Sequence, residues 1–138
     1  MKSSRLKAHL QVAKEYAKLS KAERLKVGAL IVRDDRPVSV GINGMPSGGN
    51  NICEDEHGNT KPEVNHAESN AICFAAANGV STKDCSLIIT HSPCLNCAAM
   101  ILAAKITEVY YETEYRNLDG VKLLEAYIKI QKVGGLQT

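Results

Sequence analysis

LIITHSPCLNCAAMILAA, residues 87–104, is the stretch that decides how the rest of the chain is read. Leu87–Thr90 is apolar and β-branched, the composition of a buried strand. HSPC then leads into an alanine-rich segment that reads as a helix from about Cys94 to Ala104. Two cysteines, Cys94 and Cys97, lie three apart at that helix start and share one of its faces. Aligned peptide dipoles at a helix N-terminus lower thiol pKa values, which suits a redox couple and a metal site alike. The pair by itself leaves both readings open.

Composition narrows the choice. The chain has 138 residues, 44% hydrophobic and 23% charged, values of one globular domain, and residues 1–138 are read as a single domain. A chain of this length buries a core without staples, and five cysteines cannot all pair within it. A formal charge of +2 neither demands nucleic acid nor excludes an anionic small substrate. One Phe and no Trp offer little for stacking on splayed bases, so a nucleic-acid partner is not expected. The basic N-terminus, MKSSRLKAHLQVAKEYAKLSKAERLK, lacks the continuous apolar core of a signal peptide. No apolar run approaches the roughly 18 residues that span a membrane. The expectation is a cytoplasmic protein with reduced thiols.

Around the central stretch the elements alternate. Ser3 or Ser4 is expected to cap a first helix whose buried face carries Leu6, Leu10, Ala13, Tyr16 and Ala17. Val27–Val32 and Val38–Ile42 read as a hairpin across RDDRP. Residues 43–65 form a long polar loop, a length that usually signals function. HAESNAICFAAAN, His66–Asn78, reads as a helix stopped at Gly79. A strand over Thr107–Glu112, a helix over Asp119–Ala126 and a weak strand near Ile128–Val133 complete the chain. Helices alternating with buried strands give an α/β sandwich around one sheet.

His66, Ala67 and Glu68 supply what the cysteine pair lacks. A nitrogen ligand added to two thiolates makes a three-ligand zinc site with an open position, the pattern of catalytic zinc. Such a metal lowers the pKa of a bound water to about 7. Glu68 follows His66 by two residues, about 200° around an ideal helix. Both can face one metal only if His66 stands at the cap, before regular helix begins. The dipoles of the two helices are expected to help hold both thiolates and the carboxylate ionised.

H-x-E followed by P-C-x-x-C, here His66-Ala67-Glu68 and Pro93-Cys94-Leu95-Asn96-Cys97, resembles the signature of zinc-dependent nucleobase deaminases. KVGALIV (26–32) with GINGMPSGG (41–49), HAESNAI (66–72) and YYETEYRN (110–117) are similar to deoxycytidylate (dCMP) deaminases, in register from about Lys26 to Val133. In its compactness the chain resembles the phage and bacterial members, which for a phage protein implies the host cytoplasm. The resemblance implies a cytidine-deaminase-like three-layer α/β/α sandwich around a mixed, roughly five-stranded sheet. It implies hydrolysis of dCMP to dUMP and ammonia, a step towards dTMP. Zinc would be held by His66, Cys94 and Cys97, and Glu68 would protonate ring N3 and then the departing amine. The Ala67 N–H is expected at the pyrimidine carbonyl and Asn43 at the sugar. Lys26, Arg116 and Arg24 are candidates for the 5′-phosphate, and Tyr115 for an aromatic wall over the base.

The family is typically hexameric, activated by dCTP with Mg²⁺ and inhibited by dTTP, with Gly41, Ile42 and Gly44 in the regulatory loop. Ile42 stands where many members carry an aromatic residue. Cys53 and His57 suggest a second, structural zinc, but the further cysteine that some relatives supply near the N-terminus is absent. Asn70 matches a family position, and Cys73 and Cys85 read as small buried hydrophobes or idle thiols. Alternatives that stay open are a deaminase of dCTP, deoxycytidine or tRNA adenosine, a nonenzymatic zinc module, and a thioredoxin-like thiol pair.

Overall fold

The two β-branched runs pair as the hairpin expected of them. β1 (Gly28–Arg33) and β2 (Arg36–Ile42) are antiparallel, with Arg33 opposite Arg36 across Asp34 and Asp35. Both aspartates have positive φ, 51° and 61°, the two-residue turn whose twist matches that of the strands it joins. In the computed structural model, which describes residues 1–46 and 48–133, the sheet order is β2-β1-β3-β4-β5. The added strands are β3 (Ser86–His91), β4 (Glu108–Thr113) and β5 (Lys129–Lys132). β3 is antiparallel to β1 and parallel to β4, and β5 is parallel to β4, so the sheet is mixed and five-stranded.

Helices cover both faces, which is why the central strands read as continuous apolar runs. α1 (Ser3–Ala17) packs Leu6, Leu10 and Ala13 over Leu30, Val32, Ile88 and Tyr110. The alternate residues, Ala29, Ile31, Leu87, Ile89 and Val109, face the other way. There they meet α2 (Ala67–Ala77), α3 (Leu95–Ala103) and α4 (Asp119–Glu125) through Ala71, Ala98, Ile101 and Leu124. Truncating one of these isoleucines to alanine costs about 2–5 kcal/mol. The three layers are those of the α/β/α sandwich.

Two local expectations at the N-terminus fail. Lys2, not a serine, occupies the N-cap of α1, and no side chain caps that helix. Tyr16 is 42% exposed while His9 is buried instead. At 100° per residue Tyr16 lies about 90° from the centre of the Leu6–Leu10–Ala13–Ala17 stripe, too far round to reach the sheet. The 43–65 loop is not structureless. Bridges Gly44–Asn65 and Glu54–Thr60 stitch it, and Cys53 packs beneath it with Ala22 and Val64. Ser47, within GINGMPSGG, lies outside the described residues.

Candidate metal centre and active site

Two helix starts meet at the end of β3. His66 is the N-cap of α2, with extended backbone (φ −77°, ψ 159°), and Cys94 is the N-cap of α3 in the same conformation (φ −74°, ψ 171°). The cap position is what lets His66 and Glu68 face one point despite their two-residue spacing. His66 Nδ1 lies 3.5 Å from Cys94 Sγ and 3.3 Å from Cys97 Sγ. Tetrahedral zinc with ordinary Zn–N and Zn–S bonds separates such donors by roughly 3.6 Å, so the three residues fit that ion. They are the one group of three potential ligands found among the described residues. Cys94 and Cys97 are free thiols, both turned to the same imidazole, as a metal site requires and a redox pair does not.

Close packing holds each helix start in place. Gly41 on β2 lets the first turn of α2 sit against the sheet. A Cβ there would overlap the Ala67 carbonyl oxygen and stand 2.5 Å from the Ala71 nitrogen. Gly120 does the same for α3: a Cβ would overlap the Pro93 carbonyl oxygen and stand 2.6 Å from that of Cys94. Asn70 donates to the Ile42 carbonyl at 2.6 Å, tying α2 to the end of β2.

The charges are distributed unevenly. Hydrogen bonds from Cys97 and His66 hold the Cys94 thiol far below its usual range, near 4. The same hydrogen bond to Cys94, with burial, pushes the Cys97 thiol up. His66 is raised by its bond to Cys94. Glu68, 4% exposed, is raised by desolvation to about 7. Loss of water is the largest influence on this carboxyl in the metal-free site, although it stands in the first turn of α2. Metal binding at such a site displaces protons from the thiols.

A cavity opens over Glu68, lined by His66, Ala67, Cys94, Asn43, Val27 and Tyr115, with Leu25, Thr60, Val64, His91 and Ser92 completing the wall. The structure thus brings Asn43, Ala67 and Tyr115 to the ligand cluster. Asn43 has a second task. Its amide accepts the Val27 N–H at 2.9 Å and donates to the Leu25 carbonyl at 2.7 Å, which pins that wall. Tyr115 is held by its N–H donating to Ser92 Oγ at 2.7 Å. Arg116 and Arg24 line an adjoining groove that shares Leu25, His91 and Tyr115 with the cavity. Lys26 is exposed and lines neither.

Gly41 is buried under α2, Ile42 gives its carbonyl to Asn70, and Gly44 pairs with Asn65. His57 is exposed beside Glu56, whereas Cys53 is buried. Cys85 is buried, whereas Cys73 is exposed. His91 and Ser92 escaped the reading of the sequence, although their place at the carboxyl end of a buried strand was a usable signal.

Residues 3–113 match the cytidine and deoxycytidylate deaminase zinc-binding region. The chain belongs to that family. Deoxycytidylate deaminase of enterobacteria phage T4 is 32% identical over 153 residues, covering 80% of this chain and 79% of that protein. ComE operon protein 2 of Bacillus subtilis is 40% identical over 104 residues, 71% of this chain, and this chain spans only 53% of its length. Among solved structures, the dCMP deaminase of cyanophage S-TIM5 in complex with dCMP and dUMP is 38% identical, with a TM-score of 0.94 over 96% of this chain and 99% of that one. No helix among the described residues of this family member is long and apolar enough to cross a membrane.

Proposed function

We propose that this protein hydrolyses dCMP to dUMP and ammonia. The observation that carries the chemistry is the buried Glu68 facing the same cavity as His66 and Cys94, with Cys97 completing the ligand set. The substrate is supported by relatives named as deoxycytidylate deaminases and by the cyanophage enzyme that holds dCMP and dUMP. Zinc, held by His66, Cys94 and Cys97, supplies Lewis acidity and a water of lowered pKa. Glu68 takes one proton from the attacking water and passes it to ring N3 as the oxygen bonds to C4. It then takes the second proton from that oxygen and delivers it to the amine, so that the C4–N bond breaks, ammonia leaves and the C4 carbonyl forms. Proton transfer of this kind by a positioned carboxyl contributes typically 10²–10⁴ in rate. Ala67 N–H receives the pyrimidine carbonyl, Asn43 the sugar, and Tyr115 closes over the base. Arg116 and Arg24, which line the groove beside the cavity, are better placed for the 5′-phosphate than Lys26, which lines neither.

The same proposal includes activation by dCTP with Mg²⁺ and inhibition by dTTP through Gly41, Ile42 and Gly44. Gly44 and Asn65 exchange N–H···O bonds of 3.0 and 2.8 Å, so a ligand in that loop would bear on the segment that sets His66. It also includes a homo-oligomer, hexameric as in the family, supported by Phe74 and Leu95, 57% and 51% exposed on neighbouring helices.

The test is ammonia release from dCMP, dCTP, deoxycytidine and tRNA, with metal content measured on the same sample. Fast turnover of dCMP alone, with about one catalytic zinc per chain, supports the reading. Bound zinc with no turnover, even with dCTP and Mg²⁺ present, removes dCMP as the substrate. Light scattering with and without the nucleotides checks the assembly.

A further inference from the structure

His91 ends β3 and lines both the cavity over Glu68 and the groove beside it. Its Nδ1 lies 2.8 Å from Thr90 Oγ1, and that oxygen also accepts the Gly28 N–H at 3.2 Å. Thr90 is buried, so its hydroxyl proton needs an acceptor within the protein. Nδ1 is the one acceptor it touches among the described residues. The hydroxyl therefore donates to Nδ1, which places the proton of the neutral ring on Nε2. Protonation of the ring would leave Nε2 a donor as well. Nε2 has no protein partner among the described residues and is open to solvent.

The groove on its other side is lined by Arg24 and Arg116, neither in an ion pair among the described residues. Its one carboxylate, Glu114, is paired with Lys132 at 3.1 Å. A fixed N–H donor between a base-sized cavity and two free cations suits an anionic oxygen. The backbone of β1 sets that donor through Thr90, so little ordering is needed when a ligand arrives.

We propose that His91 Nε2–H donates to the phosphate of a bound pyrimidine nucleoside monophosphate, together with Arg24 and Arg116, and so sets the preference for nucleotide over nucleoside. This rests on reading the cavity as a pyrimidine-nucleotide site. The test compares Kd for dUMP and for deoxyuridine by calorimetry on the zinc-loaded protein. Wild type prefers dUMP. His91→Leu lowers that preference by about tenfold or more, the effect of removing a hydrogen bond to a charged group. The loss appears in dUMP and not in deoxyuridine, and His91→Gln, which keeps an N–H, recovers part of it.

An unchanged preference in His91→Leu, or none in wild type, overturns the proposal. Arg116→Ala, at an exposed position, is the second arm. If the ratio does not fall there, the groove is not the phosphate site. A dUMP preference that depends on His91 in a protein that leaves dCMP intact upholds the subsite and rejects the deaminase reading. Turnover of dCMP with the preference unmoved in His91→Leu does the reverse.

Discussion

The two faces of the sheet use the same alternating strands for different ends. On one, α1 lays Leu6 and Leu10 over Leu30, Ile88 and Tyr110 and seals them. Its close approach to the sheet, Ala13 against Gly28, lies well along the helix. On the other face the close approaches sit at helix starts, Gly41 under Ala67 and Gly120 under Pro93 and Cys94. Small residues there bring two N-termini within ligand distance of each other. Large residues on the first face add stability and no chemistry. Each face also buries a carboxyl or imidazole displaced by desolvation, Glu68 raised and His9 lowered.

Removing the chemistry from the second face while leaving its packing is the sharpest test of this contrast. Glu68→Gln should keep zinc and lose turnover of dCMP by about 10²–10⁴ or more, measured by ammonia release beside metal analysis. Substantial activity in that variant would falsify the role given to Glu68. Cys97→Ser should do the opposite in order of cause: zinc is lost first, and thermal stability falls with it.

Packing at the helix start comes next. Gly120→Ala forces a methyl onto backbone carbonyl oxygens that cannot swing away. The expected cost is about 1–3 kcal/mol in urea unfolding, with weaker zinc retention against a chelator. Full zinc affinity in Gly120→Ala would mean that the position of Cys94 does not depend on α4.

The smallest effects distinguish the faces by the sign of their pH dependence. In metal-free protein Glu68 has a folded pKa raised from 4.5 to about 7. Its contribution is present below the unfolded value and is lost as pH rises through 7. His9 is lowered from 6.5, so its contribution is present above that value and is lost as pH falls through the folded pKa. Urea midpoints of metal-free wild type, Glu68→Gln and His9→Leu between pH 5 and 8 should separate the two. Glu68→Gln removes the loss of stability that builds as pH rises towards about 7, and His9→Leu removes the loss that builds as pH falls below 6.5.

Much of the fold was legible. The period-2 runs, the turn chemistry at Asp34–Asp35 and the glycine after α2 are local signals, and local sterics carried them into the structure. The first turn of α1 was misread because no serine side chain caps it, and Tyr16 because it lies about 90° from the centre of the buried stripe, whose fifth member is His9. At the site the four residues of H-x-E and C-x-x-C were visible by type and spacing. His91 was not, since nothing local says that a strand-end histidine will have one nitrogen tied to Thr90 and the other open to a groove.

The sequence by itself determined the element order, the donor set and the requirement that His66 stand outside the helix if Glu68 is to share its target. These follow from residue types and from backbone geometry over a few positions. Only the tertiary structure decided that residues 66 and 94, which are 28 positions apart, place their donor atoms 3.5 Å from each other. It also decided that Glu68 sits in a site dry enough to hold a proton near neutral pH. Distance and desolvation are sums over contacts remote in sequence, so no local reading of the chain contains them.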